Sequence, residues 1–250
     1  MITLLVTPDA FDAPEMRVEG DAYRHLFRAR RVEAGAELRV VDGQGRARWG
    51  KVARVDRTSA AVTLGEPAPD REPVFRLDLL VPTCRPERAS WLVEKATEVG
   101  VFAVRFLNMT HAPREFGSST LDRLRRVAAA AVEQCHRSRR PELSGPHAWS
   151  EVGRLAGPGS RWFLDTEPAG KDWREIQGDS GALLVGPEGG LAPEERRDLL
   201  ESGWLPVGLG ERILRLETAA VVGAALFLLS ASGIRSPQSE VQIDPAAGSG

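Results

Sequence analysis

Between Leu38 and Leu64 apolar and polar positions alternate, and the alternation breaks at turn residues. Leu38–Asp42, Ala47–Val55 and Ser59–Leu64 therefore read as strands. Asp42-Gly-Gln-Gly45 between the first two is a hairpin signal. Ahead of them, Asp21–Arg31 reads as a short basic helix with Asp21 placed to cap it. Residues 1–70 thus predict a compact β-rich domain.

The period changes after Glu66–Pro73, a charged, Pro-rich stretch that reads as a linker. Phe75–Val81 is a buried-strand run. Arg85–Gly100 follows as a helix, its apolar face built from Trp91, Leu92, Ala96 and Val99. Val101–Leu107 is the next strand, and Leu121–Arg137 is an amphipathic helix. Arg161–Pro168 reads as a strand that leaves its sheet at Asp165. Ala182–Val185 is another buried strand, and a helix opens near Ala192 with Pro193 first and Glu194 and Glu195 in its first turn. A short strand, a loop broken at Gly210 and an apolar helix over Glu217–Leu229 complete residues 74–234. Strands alternating with helices predict an α/β domain with a parallel sheet. The tail, residues 235–250, is rich in Pro, Ser and Gly and predicts disorder.

Composition narrows the function classes. At 250 residues, with 42% hydrophobic and 27% charged residues, the chain suits a soluble protein with a small domain beside a larger one. The longest apolar stretch, Ala219–Leu229, is about half a bilayer span. No signal segment is evident, and Cys84 and Cys135 lack metal spacing, so the reading is a cytoplasmic protein with free thiols, no metal and no membrane. The net charge of −2 conceals a split. Residues 20–60 hold ten Arg/Lys against five Asp/Glu, residues 121–140 hold six against two, and residues 142–204 hold six against twelve.

The candidate chemistry lies in Leu183–Leu191 and Gly208–Thr218. Each is a strand, a glycine-bearing loop and a helix start, and open α/β sheets bind ligands beside such loops. Gly186, Gly189 and Gly190 permit positive φ and close approach of backbone amides to a ligand. A tight structural turn explains the same glycines. No Gly-Lys-Ser/Thr follows, and the spacing is not Gly-x-Gly-x-x-Gly.

Gly186-Pro-Glu-Gly-Gly190, followed by Leu209-Gly-Glu-Arg-Ile-Leu-Arg-Leu-Glu-Thr218, resembles the bacterial 16S ribosomal RNA uridine-N3 methyltransferases of the SPOUT superfamily. Lys95, Glu98 and Gly100 match a further signature. Glu133, Gln134, Cys135, Arg137 and Pro141 match another, with His136 in place of the usual glycine. His25, Arg28 and Arg31 match an N-terminal pattern. The resemblance implies a PUA-like RNA-binding β-barrel and a SPOUT domain with a deep trefoil knot. It implies S-adenosylmethionine as cofactor, 16S rRNA of the small ribosomal subunit as partner, and a homodimer. On the residues, it implies that Leu164, Leu184, Gly186, Pro187, Glu188, Gly189, Gly190, Leu209, Gly210, Ile213, Leu214, Arg215, Glu217 and Thr218 bind the cofactor. Leu164–Glu167 is implied as the pocket's first side. Arg215 and Glu217 are the catalytic candidates, with Arg212 and Glu188 as further ones, and His25, Arg28, Arg31 and Arg137 are the RNA-binding ones. Competing readings are a SPOUT enzyme acting on a ribose 2′-hydroxyl or a tRNA base, and a non-catalytic assembly factor.

Overall fold

A computed structural model of the chain describes residues 1–113, 116–166, 173–176 and 178–231. The tail expected to be disordered and Glu167 lie outside these residues.

Five strands, β1 (Thr3–Leu5), β2 (Glu15–Val18), β3 (Glu37–Val41), β4 (Ala47–Val55) and β5 (Ala60–Pro67), form one curled sheet in the order β1-β3-β4-β5-β2. β1 pairs with β3 in parallel and the remaining pairs are antiparallel. Alternate residues point inward, so Leu38, Val40, Val52, Val62 and Leu64 form a core with Leu4, Phe11 and Tyr23. Helix α1 (Pro8–Asp12) and helix α2 (Gly20–Tyr23) cover it, and α2 runs on through a π-helical turn, Arg24–Ala29, that buries Leu26 and Phe27. Asp21 does not cap this helix. It lies within the first turn and pairs with Arg24.

The second sheet contains β6 (Arg76–Pro82), β7 (Ala103–Leu107), β8 (Glu142–His147), β9 (Ser160–Leu164), β10 (Ser180–Leu184) and β11 (Leu205–Val207), ordered β11-β9-β10-β6-β7-β8. Every pair is parallel. Helices α3 (Pro86–Val99), α4 (Ser118–Cys135), α5 (Val152–Leu155), α6 (Pro193–Glu201) and α7 (Leu216–Ala231) supply the crossovers and cover both faces. Leu77, Leu79 and Val81 of β6 face α3, α4 and α7, while Leu80 faces α5 and α6. Burial on both faces explains the near-continuous apolar strands. β8 escaped the sequence reading because Glu-Leu-Ser-Gly-Pro-His lacks an apolar run. Trp91, expected on the buried face of α3, is 43% exposed, and Ala89, Leu92, Val93 and Ala96 make that face instead.

The last helix takes an enclosed course. Phe227 of α7 lies between Phe75, which precedes β6, and Trp173 from the β9–β10 connection, with ring centroids 5.4 and 6.4 Å away. The Trp173 indole donates to the Gly208 carbonyl at 3.1 Å, tying that connection to the loop leading into α7. α7 thus packs against both the sheet and Trp173 of the β9–β10 connection. At Gly223 a Cβ would approach Leu183 Cδ2 to 2.9 Å, so the helix rests almost directly on β10.

The stretch Glu133–Arg140 joins the two sheets. Glu133 accepts from the Leu5 amide at 3.0 Å, and the His136 ring meets the Thr3 hydroxyl at 2.8 Å. Ser138 accepts from the fully buried Arg39 at 2.9 Å. α4 stops at His136, whose φ of 63° is left-handed. The residue standing in place of the usual glycine therefore adopts a conformation that glycine enters most easily. Arg137, expected to bind RNA, is 4% exposed. Its guanidinium donates to Glu72 at 2.7 and 3.1 Å and to the carbonyls of Thr97 and Val101. That fork is engaged inside the protein, so in this structure Arg137 is a buried structural residue rather than a surface cation.

Candidate functional site

β9, β10 and β11 end side by side at the edge of the sheet where chain order reverses, the position at which open α/β sheets bind ligands. Three loops follow these strands and bound a cavity of about 340 Å³, the scale of a small-ligand pocket. Leu164, Asp165 and Thr166 form one side. Gly186, Pro187, Glu188 and Gly190 form the second, and Leu209, Gly210, Arg212, Ile213 and Leu214 the third.

Local structure explains the shape. The Val185 amide donates to the Leu80 carbonyl, extending the sheet's pairing just past β10 before the chain turns. Gly190 closes the turn at φ +77°, its amide donating to the Pro187 carbonyl at 2.8 Å. Gly186 and Gly189 do not take positive φ. Their lack of a side chain serves close packing, since a Cβ would lie 3.2 Å from Leu191 at Gly186 and 3.2 Å from His111 at Gly189. Pro193 opens α6, and the Glu195 carboxylate, 4% exposed, accepts from the amides of Ala192 and Thr110. The loop is thereby pinned at both ends.

Several expected residues fall outside the cavity wall. Leu184 is fully buried in the core against α5 and α6. Gly189 faces His111. On α7 the wall is made by Leu216 and Ala219, which share a helical face, so Glu217 and Thr218 between them point elsewhere. Arg215 is exposed, while its carbonyl accepts from the Ala219 amide and helps start the helix. One carboxylate oxygen of Glu217, Oε2, is buried with no hydrogen-bond partner.

Five wall residues were not anticipated: Val185, Leu191, Arg196, Leu216 and Ala219. Arg196 donates through Nε to Asp165 at 2.8 Å, bridging the first and second sides. Its place one turn into the helix after the glycine loop was the available signal.

Among the described residues no set of three His, Cys, Asp or Glu side chains could hold a metal ion. Thiol chemistry is unsupported as well. Burial pushes the Cys84 thiol up to about 11, and the charge of Glu217 adds to the shift. His136 faces Thr3, and the Cys135 sulfur lies beside the Val132 carbonyl, so these neighbours form no nucleophile pair. What the cavity offers is apolar walls, backbone polar groups and an Arg–Asp bridge, features that suit a nucleoside-like ligand.

Comparison with known proteins agrees with this geometry. A family model described as an RNA methyltransferase domain matches residues 70–228, and one described as an RNA methyltransferase PUA domain matches residues 18–65. The ribosomal RNA small subunit methyltransferase E of Mycobacterium bovis is 31% identical over 225 residues, covering 82% of each chain. A methyltransferase structure from Legionella pneumophila, in complex with the bound cofactor S-adenosylmethionine, superposes with a TM-score of 0.80 at 25% identity. It covers 92% of this chain, and this chain covers 98% of it. A ribosomal RNA small subunit methyltransferase E from Neisseria gonorrhoeae, bound to S-adenosylmethionine, shares the fold with a TM-score of 0.80 at 22% identity, covering 90% of this chain and 95% of its own. With most of its length matched, this chain belongs to the RNA methyltransferase family that includes the ribosomal RNA small subunit methyltransferase E proteins.

Proposed function

We propose that the protein transfers a methyl group from S-adenosylmethionine to N3 of a uridine in 16S rRNA of the small ribosomal subunit. Residues 1–70 act as the RNA-docking barrel and residues 74–234 as the transferase domain. The observation that carries this reading is the convergence of the two glycine-bearing loops on one largely apolar cavity, within a chain matched along most of its length to RNA methyltransferases.

The wall fits the cofactor. Leu164, Leu209, Ile213 and Leu214 would enclose an adenosine, and the loop backbones at Gly186–Gly190 and Leu209–Gly210 would meet its polar edges. When bound, the sulfonium supplies an electrophilic methyl group, so the protein's task is positioning and charge control. Uridine N3 carries a proton at neutral pH, and its attack requires that proton to leave. Arg215, exposed beside the cavity, would stabilise the negative charge that develops on the uracil oxygens. Glu217, whose side chain points away from the cavity wall, would act by orienting Arg215. N3 lies on the Watson–Crick edge, so the target base must be unpaired or extruded. Exposed His25, Arg28 and Arg31 on the barrel would hold the RNA.

The test is nucleoside mass spectrometry of rRNA from a strain lacking the gene, with and without the gene restored. 3-Methyluridine should vanish and return. A change confined to 2′-O-methylated nucleosides or to tRNA would reject the N3 assignment, and no change in any nucleoside would favour an assembly factor. A second test concerns the cavity. Ala219→Trp should raise the dissociation constant for S-adenosylhomocysteine about 100-fold, by filling space the nucleoside needs. Unchanged calorimetric affinity would place the cofactor elsewhere.

The protein acts as a homodimer through α7. Val222, Leu226 and Leu229 are exposed on one face of that helix, and Trp91 is exposed on neighbouring α3. Leu226→Asp should give a monomer in sedimentation, with the wild type sedimenting as a dimer. A monomeric wild type would sink this part of the reading.

A further inference from the structure

Most arginines of the barrel and of the junction between the two sheets have partners inside the protein. Arg39 donates to Pro69 and Ser138, Arg46 to Asp12 and Asp42, and Arg48 to backbone carbonyls. Arg137 is held by Glu72. Arg139 and Arg140 differ. Both lie where the barrel's hairpin meets the end of α4, and among the described residues neither guanidinium has a carboxylate partner. They line a cleft with Gly43, Gln44, Arg125 and Glu142. Glu142 is engaged by Arg105 at 3.2 Å, and Arg125 pairs with exposed Asp122.

The Arg139 side chain is also held in place. Arg139 lies over the Phe102 ring, its guanidinium carbon 5.1 Å from the centroid. The hairpin comes close to both residues. A Cβ at Gly43 would come within 2.9 Å of Arg140 Nε, and one at Gly45 within 2.9 Å of an Arg139 terminal nitrogen. Both glycines have positive φ, +73° and +114°, so no other residue fits there without strain. The Arg140 amide donates to the Gly43 carbonyl at 3.0 Å and the Gly45 amide to the Ser138 carbonyl at 3.1 Å, fixing the backbone that carries the pair.

We propose that the cleft between the hairpin at Gly43–Gly45 and the Arg139–Arg140 turn is a docking site for the RNA backbone, with the two guanidiniums each engaging a phosphate. It rests on the reading of the protein as an RNA methyltransferase, and adds a binding surface at the junction of the two sheets, apart from the barrel face of His25, Arg28 and Arg31. Guanidinium forks match phosphate oxygens in geometry as well as charge. Such contacts fix register and carry no sequence information.

The test uses the full chain and a short fluorescein-labelled single-stranded RNA, with anisotropy measured across a potassium chloride series. For the double variant Arg139→Gln, Arg140→Gln, binding should weaken about tenfold, and the slope of log K against log salt should fall in magnitude by about 1.4, or about 0.7 per phosphate lost. A scrambled RNA should lose as much. Affinity for S-adenosylhomocysteine should stay within twofold, which also reports an intact fold. Arg123→Gln, Arg126→Gln removes the same charge from the exposed side of α4 and should change the slope far less. A double variant with the wild-type slope, or a control pair that loses as much, overturns the cleft while leaving the methyltransferase reading intact. A wild type that binds S-adenosylhomocysteine but no RNA overturns both.

Discussion

Replacing Arg215 with alanine should lower the rate of methyl transfer to RNA by about 100-fold or more, with cofactor affinity unchanged. The magnitude follows from what one preorganised donor contributes where charge develops, about 10² to 10³ in rate. The split between rate and affinity follows from the geometry. Leu214 and Leu216 line the cavity, and Arg215 between them is exposed and makes no wall. Its backbone carbonyl, which starts α7, survives the substitution. Single-turnover transfer to rRNA, with calorimetry of S-adenosylhomocysteine binding, separates the two effects. Full activity in Arg215→Ala would falsify its catalytic role. A parallel loss of cofactor affinity would make it a cofactor contact instead.

Replacing Glu72 with alanine should destabilise the protein by about 3–5 kcal/mol, since removing one partner strands a buried charge. Glu72 and Arg137 are 13% and 5% exposed at their side chains. The carboxylate also accepts from the amides of Ser138 and Arg139 at 2.8 and 2.9 Å. Its loss unpairs a guanidinium and two amides together. In a chain of this size that corresponds to a fall in Tm of roughly 10 °C. Glu72→Gln keeps an acceptor oxygen and should lose less. Thermal unfolding of both variants is the measurement, and a change below about 1 kcal/mol for Glu72→Ala would show the pair to be dispensable.

How far the sequence reached can be seen at particular residues. The strand over Ala47–Val55, the hairpin at Asp42–Gly45 and the α6 start at Pro193 are set by local rules of alternation, turn chemistry and capping. They were legible for that reason. The glycine loops were legible as turns after apolar strands, but the packing of Gly186 on Leu191 and of Gly189 on His111 was not, because those partners are set by the fold. Arg137 was not. In sequence it belongs to a basic run read, through the resemblance, as RNA-binding, and its burial is decided by Glu72, 65 positions earlier. Trp91 failed in the opposite sense. Its place on an apolar helix suggested core, yet the faces of α3 are assigned by what packs against them, and it stays exposed. Leu216 and Ala219 were hidden because an apolar helix shows no preferred side until its neighbours are known.

The enclosure of α7 also dictates when the pocket comes into being. α7 is the last helix in chain order and packs on α3, β6 and β10, so its docking is among the most non-local events on the folding route. Since α7 contributes Leu216 and Ala219, a nascent chain halted before α7 docks has both glycine turns but lacks one wall. If the nucleoside binds there, ligand-induced protection against proteolysis should emerge only once the final helix has packed.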